Sequence, residues 1–310
     1  MIKRKKSKIL VTGVAGFIGS SIAKKLKNKF EIIGIDDLSN GNIKNIPKGI
    51  KFYKIDISKK GCLDKFQKVE YVMHLAGQSS GDKSFNDPIT DLKKNTHSTL
   101  NLLKYGIKNK VKKIIYASSM SVYGKQSKIR VSESNKLNPT SYYGVSKISS
   151  EEYIKLSKSK LNYIIFRMFN VYGPGQNLED LNQGMVSIYL SQFLSKKYIL
   201  IKGSLNRVRD FIYIDDVVDI WAKSLNKKYQ NQTFNLGTGV GTSVKKLINL
   251  ISKNAKIKLT KSTRGDQSKI ISDTKKLRMY FKKKNFIRLT QGLKNFIEYE
   301  NRKIKKYLQY

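Results

Sequence analysis

Lys8-Ile-Leu-Val-Thr-Gly13-Val-Ala-Gly16-Phe-Ile-Gly19 is the stretch that decides the fold. Lys8 to Thr12 reads as a buried strand, a short apolar run closed by glycine. Phe17 to Lys27 then carries the apolar spacing of an amphipathic helix. A glycine turn between strand and helix lets the backbone bend tightly and brings main-chain N–H groups close to whatever lies beyond the strand. The helix start adds unpaired N–H groups and the positive end of its dipole, a ready site for an anion.

The spacing Gly-x-x-Gly-x-x-Gly departs from the usual Gly-x-Gly-x-x-Gly, so the next strand matters. Glu31 to Asp36 supplies it and ends in a carboxylate about 20 residues on, where a dinucleotide fold places the acceptor for adenosine ribose hydroxyls. A carboxylate there repels a 2′-phosphate, which favours NAD over NADP. The plain alternative is that Asp36 caps a loop.

Outward from this unit the pattern repeats. Strands are predicted at Phe52–Ile57, Tyr71–Leu75, Lys113–Ser118 and Tyr163–Met168, and helices at Ile89–Tyr105 and Tyr143–Leu156. Alternation of this kind specifies an α/β fold with a doubly wound parallel sheet, apolar on both faces. The second half is more mixed: helices at Gly184–Leu194, Asp216–Leu225, Val244–Ile251 and Leu293–Tyr307, and a strand at Thr233–Leu236. The last helix carries apolar residues at Phe296, Ile297, Ile304 and Leu308. A smaller mixed α/β lobe at the C-terminal end is expected, with no Pro/Gly-rich linker between the lobes.

Tyr143-Gly-Val-Ser-Lys147 opens one of these helices. Positions i and i+4 share a helix face, so phenol and ammonium converge. An unperturbed tyrosine titrates near ~10; an ammonium neighbour and an oxidised nicotinamide both favour the phenolate. Upstream, Ile114-Ile-Tyr-Ala117 delivers Ser118 and Ser119 to the C-terminal end of a strand, where open α/β sheets bind ligands. Either hydroxyl can bridge a substrate oxygen and the phenol.

On these motifs, in this order, the chain resembles the extended short-chain dehydrogenase/reductases, in particular the NAD-dependent sugar epimerase/dehydratase family, over nearly its whole length. The resemblance implies a Rossmann domain at 1–172, with a return segment at about 210–240, and a nucleotide-sugar lobe at 173–209 and 241–310. It implies NAD contacts from Gly13, Gly16, Phe17, Ile18 and Gly19. Asp36, Asp37, Ser39 and Asn40 match the ribose stretch, and Asp56 and Ile57 fall beside adenine. Leu75, Ala76 and Gly77 pass under the cofactor, and Asn95 lies near the active site.

Ser119, Tyr143 and Lys147 match the catalytic set, with Tyr143 and Lys147 also touching NAD. Ser79, Ser119, Asn170, Arg209 and Asp266 match substrate positions. Arginine suits a diphosphate because its planar fork binds two oxygens at once; the alternative for Arg209 is an ion pair with Asp210 or Asp215. Two departures stand out. The family's arginine lies three residues before the aspartate, whereas Arg264 lies two before Asp266. The position that often gates sugar size falls at about Ile270.

The implied reaction is C4 epimerisation of a nucleotide-diphosphate sugar through a 4-keto sugar, in the manner of UDP-glucose or UDP-N-acetylglucosamine 4-epimerases. A 4,6-dehydratase, decarboxylase or 4-ketoreductase shares the first oxidation. Ser119-Met120-Ser121 offers no carboxylate for eliminating water, which favours epimerisation.

Composition narrows the partners. With 62 basic against 22 acidic residues the formal charge is +40. The lysines are scattered, densest at Lys3-Arg4-Lys5-Lys6 and Lys282-Lys283-Lys284, and no nucleic-acid motif accompanies them. A solvated surface is expected rather than a dedicated nucleic-acid site, with a positive field that draws in a diphosphate. A non-enzymatic NAD-fold polyanion binder is the distant alternative. One cysteine, Cys62, and two histidines, His74 and His97, leave little to build a metal site or disulfide, so no metal is expected. No apolar run spans a membrane and no signal-type segment opens the chain, which gives a cytoplasmic expectation. The resemblance also implies a homodimer.

Overall fold

A computed structural model describes residues 6–181, 184–196 and 198–307. The basic run Lys3-Arg4-Lys5 and the apolar Leu308 lie outside these residues.

The chain begins with β1 (Lys8–Thr12), α1 (Phe17–Leu26), β2 (Glu31–Asp36), β3 (Lys51–Lys54) and β4 (Tyr71–His74). A segmented helical stretch follows: α2 (Gly81–Asn86), α3 (Pro88–Leu92), a π turn over Lys93–His97, and α4 (Ser98–Lys108). Next come β5 (Lys113–Ser119), β6 (Arg130–Val131), α5 (Tyr142–Leu156), β7 (Asn162–Met168) and β8 (Asn170–Tyr172). The second half holds α6 (Met185–Lys196), β9 (Tyr198–Lys202), β10 (Val208–Tyr213), α7 (Ile214–Lys223), β11 (Gln232–Leu236), β12 (Gly241–Ser243), α8 (Val244–Ile251), β13 (Lys256–Thr260), β14 (Ile271–Ser272), α9 (Lys275–Phe281) and α10 (Leu289–Tyr307).

Seven strands form one parallel sheet in the order β11-β7-β5-β4-β1-β2-β3. Successive residues of one strand feed opposite cores, as a strand's two-residue period requires. On one face Ile9, Val11, Met73, Ile115 and Ile164 pack with Ile22 of α1 and Val217 of α7. On the other, Leu10, Ile33, Val72, Ile114 and Ile165 pack with Leu102 of α4 and Ile154 of α5. That double burial is why the strands read as continuous apolar runs. β3 is the edge, and its side chains are mostly exposed. It ends at Lys54, so Asp56 and Ile57 lie in the turn beyond it rather than in the predicted strand.

The order reverses between β1 and β4, the switch point at which such sheets open a crevice at their carboxyl ends. Three small sheets, β12-β10-β8, β13-β9 and β14-β6, are built from the second half of the chain except for β6, which comes from the loop after β5. Lys113 ties the halves together: it is buried at the start of β5, and its Nζ donates to the Ser224 and Asn226 carbonyls, each at 2.8 Å, closing the C-terminus of α7. Among the described residues, no helix is long and apolar enough to cross a membrane.

Candidate active site

The crevice begins at Gly13, which turns out of β1 at φ +71°. A Cβ there would stand 2.7 Å from the Ala76 nitrogen, so the loops after β1 and β4 meet backbone to backbone. A Cβ on Gly19 would lie 2.8 Å from the Gly13 carbonyl carbon, which is why α1 can start so close to its strand. Gly16 sits at the N-cap of α1 in extended conformation, and no side chain caps the helix. The helix start thus keeps its amides for an anion, with partly buried Phe17 and Ile18 beside it.

Asp36 closes the other side. Its Oδ2 accepts from the Ala15 N–H (3.0 Å) and its Oδ1 from the Leu38 N–H (2.9 Å), so it fixes the glycine turn. Each oxygen keeps a lone pair for a ribose hydroxyl. Burial raises its pKa against the pull of those two amides. Gly41 covers it closely: a Cβ there would come within 2.9 Å of Oδ1.

Lys94, missed by the sequence reading, bridges Asp37 (2.6 Å) and Asp56 (2.9 Å). Ser39 also donates to Asp37 (2.6 Å). Against burial, Lys94 and the neighbouring serines hold both carboxyls below their ordinary range. Asn40 stands exposed beside them. Ile57 follows Asp56 in the turn beyond β3. Its side chain is buried in the core and its carbonyl accepts from Asn101 Nδ2 at 2.9 Å.

Beneath the crevice lies a chain of ordered protons. The Leu75 and Ala76 amides donate to the Thr12 hydroxyl, each at 3.2 Å. That hydroxyl then serves His74 Nδ1 as donor (2.9 Å), and His74 Nε2 donates to Thr99 Oγ1 (3.1 Å), which donates to the Asn95 carbonyl (2.7 Å). The network needs a neutral imidazole. Burial and the nearby Lys147 lower the His74 pKa to about 3.

The two serines at the end of β5 part company. Ser118 donates to Glu151 Oε1 at 2.5 Å, and Glu151 in turn pairs with buried Arg167 at 2.8 Å. Ser119 lies on the other side: its hydroxyl donates to the Ser121 hydroxyl at 3.1 Å and favours the charged form of the Tyr143 phenol. Tyr143 is 7% exposed and Lys147 4% exposed. Lys147 Nζ donates to the Ala117 carbonyl (3.0 Å) and lies 4.9 Å from the Tyr116 ring centroid.

The expected acidic phenol is not produced by the chain's own groups. Burial pushes Tyr143 up to about 12, and Ser119 alone draws it down. Burial likewise pulls Lys147 down to about 8. Burial is the largest influence on both groups, and the ammonium lies 5.7 Å from the centroid of the phenol ring. Gly77 passes beside Lys147, and a Cβ on it would strike the Asn95 Oδ1. Asn95 sits in the π turn, a distortion common at functional sites; its Oδ1 is buried without a hydrogen-bond partner.

A pocket is lined by Met120 and Ser121, which follow Ser119 in the chain, and by Thr140 and Ser141, just before Tyr143. Ser79 and Asn170 line it, with Asn170 Nδ2 held by the Asp210 carbonyl at 2.9 Å. Arg209 is also in the wall, but its partner is neither alternative considered above: it pairs with Asp266 at 2.5 Å. Asp210 instead receives Thr238 (2.6 Å) and Ser272 (2.5 Å). Arg207 reaches the other Asp266 oxygen, so one carboxylate carries two guanidiniums. Arg207 was missed, though its two-residue spacing from Arg209 was a usable sign that both lie on one side of an extended segment. Arg264 is exposed in the same wall. Ile270 is not in it: that side chain is buried with Val122, Tyr123 and Phe169, so it cannot gate a sugar directly.

The crevice therefore presents an anion site at a helix start, a carboxylate for a ribose, a buried orphan acceptor and a phenol–ammonium pair. A dinucleotide satisfies all four. Residues 9–237 match the model of the NAD dependent epimerase/dehydratase family. The chain is 34% identical to the UDP-glucose 4-epimerase of Mycolicibacterium smegmatis over 77% of this chain and 79% of that one. A crystal structure of UDP-glucose 4-epimerase with UDP-glucose from Thermotoga maritima superposes with TM-score 0.92 and 34% identity, covering 96% of this chain and 99% of that one. The UDP-N-acetylglucosamine 4-epimerase of Methanobrevibacter ruminantium, in complex with UDP-N-acetylmuramic acid, gives 0.90 at 27% identity, covering 97% and 100%.

Proposed function

Because this chain belongs to the NAD dependent epimerase/dehydratase family, we propose that it inverts a nucleotide-diphosphate sugar at C4. UDP-glucose and UDP-N-acetylglucosamine are the first substrates to test, since relatives named for them match over most of their length. The observation that carries the proposal is the convergence of Ser119, Tyr143 and Lys147 where the dinucleotide crevice meets a pocket walled by arginine.

NAD, when bound, supplies a reversible hydride acceptor. Tyr143 takes the proton of the sugar 4-hydroxyl and later returns it, with Ser119 bonded to the same oxygen. Lys147 stabilises the phenolate and holds the nicotinamide ribose. Gly13, Gly16 and Gly19 admit the pyrophosphate, and Asp36 accepts the adenosine ribose. Asn170 and Arg209 bind the substrate diphosphate, with Asp266 holding Arg209 in place. The 4-keto sugar turns over in the pocket between the two half-reactions, which requires the uncharged ring to be held loosely and the diphosphate firmly.

The first 172 residues, with the returning strand β11, carry the cofactor, and the remaining segments carry the nucleotide sugar. Epimerisation is favoured over loss of water because the Ser119–Ser121 segment has no carboxylate. In the pocket wall Asp266 is committed to two arginines, which leaves the exposed Asp82. Exposed Tyr142, Val145, Tyr153 and Leu156 on α5, with Ile89 and Leu92 on α3, support pairing with a second copy through these helices.

The test is incubation with UDP-, dTDP-, GDP- and ADP-sugars, read by mass spectrometry and NMR. Unchanged mass with inverted C4 supports the proposal; loss of 18 mass units, about one water, or of carbon dioxide replaces it with a dehydratase or decarboxylase. Sedimentation of the purified chain tests the dimer.

A further inference from the structure

Asp91 has no role in the chemistry above, yet it is fully buried on α3 directly behind the site. Its Oδ1 accepts from Gln78 Nε2 (2.8 Å) and Asn95 Nδ2 (3.1 Å), and its Oδ2 from the Ser146 hydroxyl (2.6 Å). These partners come from three elements that shape the crevice: the loop after β4, the π turn, and α5 one residue before Lys147. No lysine or arginine among the described residues pairs with it directly. A buried carboxylate without a contacting cation is costly, and three hydrogen bonds compensate only part of that cost.

We propose that Asp91 is a positioning residue for Lys147: bonded to Ser146, the residue before Lys147, and to Gln78, the residue after the glycine beside Lys147 Nζ, it supplies a buried counter-charge on that side of the crevice, while its hydrogen bonds set the facing of Asn95 and α5 toward the cofactor. The inference rests on the reading of Tyr143 and Lys147 as the working pair.

Five groups face Lys147 from the packed elements. His74 on β4 is neutral, and Tyr116 on β5 and Tyr143 on α5 present rings. Glu151 on α5 is taken up by Arg167 at 2.8 Å and by Ser118. That leaves Asp91 as the carboxylate with no directly paired cation among the described residues. Burial pulls the Lys147 pKa down to about 8, and Asp91 is the larger of the two influences holding it up. Burial raises Asp91 itself, but the donors from Ser146 and Gln78 favour its charged form. Without that charge, Lys147 would lose its proton within the neutral range, and with it the hold on a phenolate.

The test is carbon NMR of the chain labelled at lysine Cε, with the Lys147 signal identified by its loss in Lys147→Arg. In Asp91→Asn the Lys147 midpoint should fall by about one pH unit. In Ser146→Ala, which keeps the charge, it should stay in place. An unmoved midpoint in Asp91→Asn overturns the proposal. So does an equal displacement in both variants, since that reports disturbed packing. In the wild type the same signal should carry a second inflection on the acidic side, where Asp91 titrates. Its absence overturns the proposal even if Asp91→Asn fails to fold. These readouts need no substrate, so a wild type inert toward every nucleotide sugar counts against the epimerase reading alone.

Discussion

Lys147 stands over the ring of Tyr143, its Nζ 5.7 Å from the ring centroid. The ammonium is held there by the Ala117 carbonyl at the end of the strand that carries Ser119. Strand β5 and helix α5 thus fix the pair jointly, and the phenol stays protonated until charge is brought into the crevice.

Tyr143→Phe removes the proton acceptor and little else, because the ring remains to pack in a 7% exposed position. Turnover of the best nucleotide sugar should fall by roughly 10²–10⁴-fold. NAD content, read from absorbance after denaturation, should match that of the wild type. Undiminished turnover would assign the base elsewhere.

Gly19→Ala forces a methyl group against the Gly13 carbonyl, which is backbone and cannot swing away. Helix α1 must then back off from its strand. NAD affinity should drop at least about tenfold, the equivalent of ~1.4 kcal/mol, with a lowered melting temperature. Calorimetric titration with NAD checks it; wild-type affinity would show that the glycine turn does not approach the cofactor.

His74 makes stability depend on pH. Its folded pKa, about 3, lies below its unfolded value of 6.5, so the unfolded chain binds the extra proton between them. Its contribution is present above pH 6.5 and is lost as pH falls toward 3. Between pH 7 and 5 the wild type should lose roughly 2 kcal/mol by this route. Urea unfolding of His74→Asn at both values should show a smaller difference, and an identical one refutes the neutral, proton-ordered network.

The arginines of the pocket should separate. Arg209→Ala and Arg207→Ala each delete a buried guanidinium braced by Asp266, and KM for a UDP-sugar should rise about 10–100-fold, as for losing a charge-assisted hydrogen bond of ~1.5–3 kcal/mol. Exposed Arg264→Ala should change KM by less than about threefold, in keeping with the small worth of an exposed charge. Steady-state kinetics on the three variants decides it, and a dominant Arg264 effect would reverse the assignment.

What the sequence disclosed followed from periodicity and glycine. The β1–Gly13–α1 unit, the Asp36 terminus and the Tyr143–Lys147 face are local patterns, legible without knowing what packs on them. Between Ser118 and Ser119 the residues alone could not choose, because the choice depends on Glu151 standing behind one of them. Strands β6 and β14 are two residues each and exist only through each other. Asp91, Lys94 and Arg207 acquire meaning from partners far off in the chain. The phenol's environment was illegible for a similar reason: spacing brings an ammonium near, but burial acts against it. The same holds for Ile270, whose place in the sequence suggested the sugar and whose neighbours are core.

Gly265 rests on Thr140, whose hydroxyl donates to its carbonyl at 3.0 Å, only three positions upstream of the reacting phenol. The loop that bears Asp266 and the segment leading into the Tyr143 helix are therefore tied by a hydrogen bond. On the function proposed above, this tie joins the end of the pocket assigned to the diphosphate to the end assigned to the sugar. A truncated compound such as a hexose 1-phosphate should then be a slow substrate even at saturation, the anchoring energy of the missing base and phosphate having been used for speed rather than for capture.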